Sequence, residues 1–211
     1  MMKKEIQIIL SKLKSFENPK VELEQYETPC DLISKIVSEL NLMSLIKDKE
    51  ILEVACGTAK FSIAASFYKP KKIIALDKDK DAIRVAKYNY SIIKEKFDVS
   101  IIKFLIADVK EIHFKKKFDL IIMNPPFGIQ GKVKDIDFLR FAFNFSNFVV
   151  SINPNGRNIK FFKNIAQKHN FKLLKFEKYM FPIKKIFDFH RKKEKKIETL
   201  ILYFCSSFYG I

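Results

Sequence analysis

Apolar residues along the chain follow two rhythms. At Ile6, Ile9, Leu10 and Leu13, and again at Leu32, Ile33, Ile36, Val37 and Leu40, they recur every three or four positions. That spacing predicts amphipathic helices over 1–16 and 30–47. Asn18-Pro19 breaks the first, and Pro29 opens the second after an irregular polar stretch at 22–28. Short unbroken apolar runs predict strands at 50–54, 72–76, 100–105, 118–123 and 148–152. Helical patterns separate most of them: a small-residue turn at 55–59 leads into a helix ending near 68, and others cover 80–94, 135–146 and 157–169. Two further extended segments, 172–181 and 198–204, close the pattern as an antiparallel pair. Strands that alternate with helices argue for an α/β fold on a mostly parallel sheet.

At 211 residues the chain is long enough for one sizeable core. The reading divides it into an N-terminal helical extension, 1–20, and a main domain, 21–211. No apolar run approaches the roughly 20 residues that span a bilayer. Charges punctuate the N-terminal pattern, so the expectation is neither signal peptide nor anchor, and a cytoplasmic protein. Cys30, Cys56 and Cys205 are odd in number and far apart, which suits neither a disulfide framework nor a zinc knuckle. His113, His169 and His190 show no metal-ligand spacing, and no metal is expected.

The formal net charge is +16. So basic a surface attracts polyanions, although lysine with only four arginines is also what an AT-rich genome produces. The run His190-Arg191-Lys192-Lys193 lies between the two closing strands and reads as a phosphate-gripping hairpin or as a solvated loop.

Chemistry concentrates where strands end, since ligands of open parallel sheets bind outside the carboxyl edge. The first strand runs into Glu53-Val54-Ala55-Cys56-Gly57-Thr58-Ala59, a small-residue turn that lets a ligand approach backbone N–H groups. Asp77 ends the second strand and can accept two ribose hydroxyls, unless it only caps the next helix, a role for which Asp79 competes. Asp108, beside the Val109 N–H, can read the amino edge of an adenine. The fourth strand stops at Asn124-Pro125-Pro126-Phe127. Two prolines cannot extend a ladder, so this is a rigid corner offering an amide, carbonyls and an aromatic face to a planar amine.

A small-residue loop, two acids and Asn-Pro-Pro-Phe, in that order, resemble a class I S-adenosylmethionine methyltransferase. Leu23-Glu24-Gln25-Tyr26-Glu27-Thr28-Pro29 upstream, Asp135-Ile136-Asp137-Phe138-Leu139 after the corner and Phe189-His190-Arg191-Lys192-Lys193 near the end narrow the likeness. This set resembles the methyltransferase-like 5 family, with an archaeal style. The resemblance covers about residues 21–205. It implies a Rossmann-like, mostly parallel seven-stranded sheet with an antiparallel C-terminal strand and helices on both faces. It also implies N6 methylation of an adenosine in small-subunit ribosomal RNA, with S-adenosyl-L-methionine as donor and S-adenosyl-L-homocysteine as product. Gln25 and Thr28 would cover the cofactor's methionine end, with Glu53, Ala55, Gly57, Thr58 and Lys60 around the first turn. Asp77 would take the ribose, Asp108 and Val109 the adenine, and Asn124 to Phe127 the target base. Relatives of this kind work with a small zinc-binding activator protein at a sheet edge.

The chain departs from the family at Glu53, where Asp is usual, and at Ala55 and Ala59, where glycine is usual. An alanine held at positive φ would cost about 1 kcal/mol. Other readings remain open from these residues: a protein glutamine methyltransferase, another RNA or DNA base amino-methyltransferase, and a non-catalytic RNA-binding protein with a decayed cofactor loop.

Overall fold

The computed structural model describes residues 1–128, 135–184 and 194–208. Its elements are α1 (Lys3–Ser11), α2 (Cys30–Leu42), β1 (Glu50–Val54), α3 (Lys60–Ser66), β2 (Lys72–Asp77), α4 (Lys80–Lys96), β3 (Ile102–Ile106), β4 (Phe118–Met123), α5 (Asp135–Phe145), β5 (Ser146–Pro154), α6 (Ile159–Lys168), β6 (Phe171–Lys184) and β7 (Glu194–Ser206). The seven strands form one sheet in the order β3-β2-β1-β4-β5-β7-β6. Only β7 runs against its neighbours, pairing antiparallel with both β5 and β6. This is the mostly parallel α/β sheet that the strand–helix alternation predicts, in the Rossmann-like class I form that the family resemblance implies.

The sheet is apolar on both faces, which is why its central strands read as unbroken apolar runs. Ile51, Ile73, Leu120 and Ile122 point to a core shared with α1 to α4. Leu52, Val54, Ile121 and Met123 point to a second core under α5 and α6. Ile6 and Leu10 of α1 are fully buried in the first of these.

Two predicted helices stop early, for identifiable reasons. The first ends at Ser11 rather than near 16, because Asn89 of α4 takes over the backbone of Lys14. The Asn89 Oδ1 accepts the Lys14 N–H at 2.9 Å, and its Nδ2 donates to the Lys14 carbonyl at 3.0 Å. The second ends at Leu42, because Ser44 adopts φ 58° and the Leu45 N–H returns to the Leu40 carbonyl at 2.9 Å. Leu45 and Ile46 remain buried, so the apolar pattern runs on past the helix. Between β3 and β4 the chain forms no helix, and residues 107–117 cross the sheet as turns and loop.

Candidate active site at the carboxyl edge

In-register pairing brings the ends of four neighbouring strands together: Val54 lies opposite Leu76 and Met123, and Asp77 opposite Ile106. The segments leaving those strands wall a cavity of about 250 Å³. Of the sequence-predicted residues, Gln25, Thr28, Glu53, Ala55, Gly57, Thr58, Asp77, Asp108, Val109, Asn124 and Pro126 all line it. Lys60 lines it as well.

The turn after β1 is a run of alternating left-handed residues, Ala55 at φ 53°, Gly57 at 51° and Ala59 at 60°. Both alanines therefore occupy backbone that favours glycine, at roughly 1 kcal/mol each. A side chain at Gly57 is blocked from outside too, since a Cβ there would sit 2.6 Å from the Phe16 ring.

The two neighbouring acids divide their tasks. Asp79 caps α4, accepting the Asp81 N–H at 3.1 Å. Asp77 instead accepts the Gly57 N–H at 2.8 Å on one oxygen and the Asp79 N–H at 2.9 Å on the other. It thus ties the turn to its own strand end while facing the cavity, and burial raises its pKa.

A strap over residues 12–29 forms the outer wall. Asp79 is its anchor: it accepts from Lys20 Nζ at 2.6 Å and from Gln25 Nε2 at 2.7 Å. Gln25 Oε1 in turn accepts the Lys20 N–H at 2.8 Å, so both ends of that amide hold the strap closed. Lys20 and Gln25 offset the burial of the Asp79 carboxylate and hold its pKa below the usual range. Phe16, Glu22, Leu23 and Glu24 of the strap also face the cavity, as does Phe138 of α5. Sequence reading did not single out any of the five for the site.

At the corner after β4, Asn124 Nδ2 donates to Thr28 Oγ1 at 2.9 Å. Its Oδ1 is buried with no hydrogen-bond partner. Pro125 is buried between two residues, Asn124 and Pro126, that line the cavity. Phe127 is half-buried and packs edge-on against Phe181, with centroids 5.9 Å apart; it does not line the cavity. Asp108 closes a turn by accepting the Lys110 N–H at 3.0 Å. His190, Arg191, Lys192 and Lys193 lie outside the described residues.

The cavity is acidic although the chain is strongly basic. Its lining carries Glu22, Glu24, Glu27, Glu53, Asp77 and Asp108 against Lys60 and Lys78. Buried Lys60 pairs with Glu27 at 2.5 Å. Glu53, at 3% exposure, accepts the Ser62 N–H at 2.8 Å, and burial pushes its pKa up to about 7.

Comparison with known proteins places this geometry. Residues 31–144 match the family described as "Methyltransferase small domain". The chain belongs to that methyltransferase family. Within it, the chain is METTL5-like: the zebrafish (Danio rerio) rRNA N(6)-adenosine-methyltransferase METTL5 is 28% identical over 93% of this chain and 95% of its own length. An uncharacterised Methanocaldococcus jannaschii protein is 28% identical over 94% of this chain and 92% of its own. Among solved structures, a proposed RNA methyltransferase from Pyrococcus horikoshii aligns with a TM-score of 0.85 and 36% identity, covering 98% and 99% of the two chains.

The cavity of this methyltransferase fits S-adenosylmethionine by its own chemistry. Excess carboxylate suits a cationic sulfonium and ammonium. The left-handed turn leaves backbone close to the ligand space, and Asp77 keeps lone pairs free beyond its two accepted bonds.

Proposed function

We propose that this methyltransferase modifies the N6 amine of one adenosine in small-subunit ribosomal RNA, in the cytoplasm. One observation carries the reading: the unpartnered Oδ1 of Asn124, buried at the cavity wall. A buried acceptor without a donor costs about 1–3 kcal/mol, so its retention points to a donor that arrives with substrate. An exocyclic amine supplies two N–H donors. The names of the METTL5 relatives add the adenosine and the ribosomal RNA.

S-adenosylmethionine is the methyl donor, supplying a methyl group on a positively charged sulfur. Asp77 is proposed for its ribose, Asp108 and Val109 for its adenine, and the backbone of Ala55, Gly57 and Thr58 with Lys60, Gln25, Thr28 and Glu53 for its methionine end. The target amine is a poor nucleophile, because its lone pair is delocalised into the ring. Asn124 Oδ1 would accept one N–H and the Pro125 carbonyl the other, turning the lone pair out of the ring plane and stabilising positive charge developing on nitrogen. The Thr28 hydroxyl fixes the Asn124 amide so that oxygen, not nitrogen, faces the amine. Phe127 would stack on a base unstacked from its helix only by turning from Phe181 into the cavity. A small zinc-binding activator is proposed to cover one of the open sheet edges, β3 or β6.

The test is incubation with isotope-labelled S-adenosylmethionine and total ribosomal RNA, followed by mass spectrometry of the nucleosides. Label in N6-methyladenosine from the small-subunit RNA is expected. Label in another nucleoside, in a protein glutamine or in nothing overturns the assignment.

A further inference from the structure

A second concavity, an open groove of about 820 Å³, lies on the sheet face that carries α5 and α6. One bank is residues 109–117, the other is α5. It begins where the active-site cavity ends, since Val109 lines both, and Phe138 and Asp137, adjacent on α5, line one each. From there the groove follows α5 from Asp137 to Phe145, about 12 Å at 1.5 Å per residue.

Its charge is opposite to that of the cavity. The lining carries Lys110, Lys115, Lys116, Lys117 and Arg140 against one carboxylate, Asp137. Asp137 sits 3.7 Å from Arg140, and the four lysines are exposed. Beneath them lies an aromatic floor: Phe114, Phe141 and Phe145 pack at centroid distances of 5.0 to 6.2 Å. The exposed His113 ring stands edge-on to Phe145 at 4.9 Å. Phe141 and Phe145 are buried and back the exposed His113 ring, and a row of exposed cations beside one open ring suits a single-stranded phosphate backbone with a base against that ring.

We propose that this groove carries the single RNA strand flanking the target nucleotide, with the lysines on phosphates and His113 against a base. The inference rests on the RNA reading above and adds where the strand runs. The change of sign gives the two surfaces separate tasks: the acidic cavity repels phosphate and takes the cationic cofactor, and the basic groove beside it takes the polyanion.

The experiment compares Lys115→Glu/Lys116→Glu/Lys117→Glu with Lys87→Glu/Lys94→Glu/Lys96→Glu. The second triple makes the same net-charge change on the exposed side of α4, over the opposite sheet face. For the groove triple, the KM for ribosomal RNA should rise at least tenfold at moderate salt. The salt dependence of RNA binding should fall by about 2 in log–log slope, near 0.7 per lost phosphate contact. Its kcat and its Kd for S-adenosylmethionine should stay within twofold, and the α4 triple should move KM less than threefold. A milder Lys→Gln groove triple, expected to shift KM about half as far on a logarithmic scale, guards against misfolding. Equal KM changes in the two glutamate triples, or none in the groove triple, overturn the groove. A wild-type protein that methylates no RNA overturns the function reading itself.

Discussion

Asn124 and Thr28 face each other across the mouth of the cavity, the amide nitrogen of one donating to the hydroxyl of the other at 2.9 Å. The contact joins residues 96 positions apart, and it decides which atom of the amide remains open. Asn124→Ala should therefore lower kcat by about 10²–10³, the usual effect of losing one preorganised group that acts on transition-state charge. Binding of S-adenosylmethionine should stay within a few-fold. Single-turnover methylation and calorimetry on the same preparation separate the two quantities, and wild-type turnover would refute the assignment.

Thr28 should show the orienting role separately. Thr28→Val keeps the shape but removes the acceptor for Asn124 Nδ2, leaving the amide free to turn. At saturating cofactor we expect kcat to fall about tenfold, beside a few-fold rise in KM for the cofactor whose methionine end Thr28 is proposed to line. Thr28→Ser should recover most of the activity, because the hydroxyl returns.

Ala55 and Ala59 both sit in left-handed backbone, but their methyl groups differ in burial. Ala59 is fully buried and Ala55 is partly open to the cavity. Ala55→Gly should raise stability by about 1 kcal/mol through relief of strain. Ala59→Gly should be near neutral, because relief is offset by the loss of a packed methyl worth about 0.8 kcal/mol. Urea titration of the two variants measures the difference; a destabilised Ala55→Gly would mean that the turn is not strained.

Burial raises the Glu53 pKa to about 7 in the folded chain, against a reference value of 4.5. Over that interval the folded state holds a proton that the unfolded state has released, so stability falls as pH rises. The contribution is fully present below about pH 4.5 and is lost by just above pH 7, a change of about 3 kcal/mol. Glu53→Gln keeps an oxygen for the Ser62 N–H and removes the titration. The stability of the variant relative to wild type should climb between pH 5 and pH 8. Parallel stability–pH curves would show that Glu53 is already ionised at pH 5.

The anchor at Asp79 offers a test of the strap. Asp79→Ala removes the α4 cap and the bonds to Lys20 and Gln25 together. We expect a lower Tm and about tenfold weaker cofactor binding. At saturating cofactor, kcat should be nearly unchanged, since the base-holding corner is untouched. A change in kcat with unchanged cofactor Kd would place the strap in catalysis instead.

The strands and the corner were legible because their signals are local. Buried parallel strands read as apolar runs, and Asn-Pro-Pro-Phe announces itself wherever it stands. Asp77 and Asp108 followed from their places at strand ends. Of the strap, the family resemblance picked out Gln25 and Thr28, but its anchoring was not legible: Phe16 meets Gly57, and Lys20 meets Asp79 across 59 positions, and no periodicity encodes such pairings. The early end of α1 was hidden likewise, because it depends on Asn89. At Ala55 and Ala59 the sequence showed only that glycine was missing, whereas the dihedral angles show what its absence costs. Nothing local to the corner signals that Phe127 leans on Phe181 rather than facing the cavity, because Phe181 comes from distant β6.

The reversed strand β7 has a consequence for biosynthesis. It lies between β5 and β6, so β6, although made first, has no partner in the sheet until β7 arrives. The strands that carry the cofactor end, β1 to β4, can assemble by then, leaving β6 as an unpaired ribbon during translation. Exposed Leu174, Phe176 and Met180 add apolar surface to that ribbon, the kind of segment a chaperone shields until its partner strand is made.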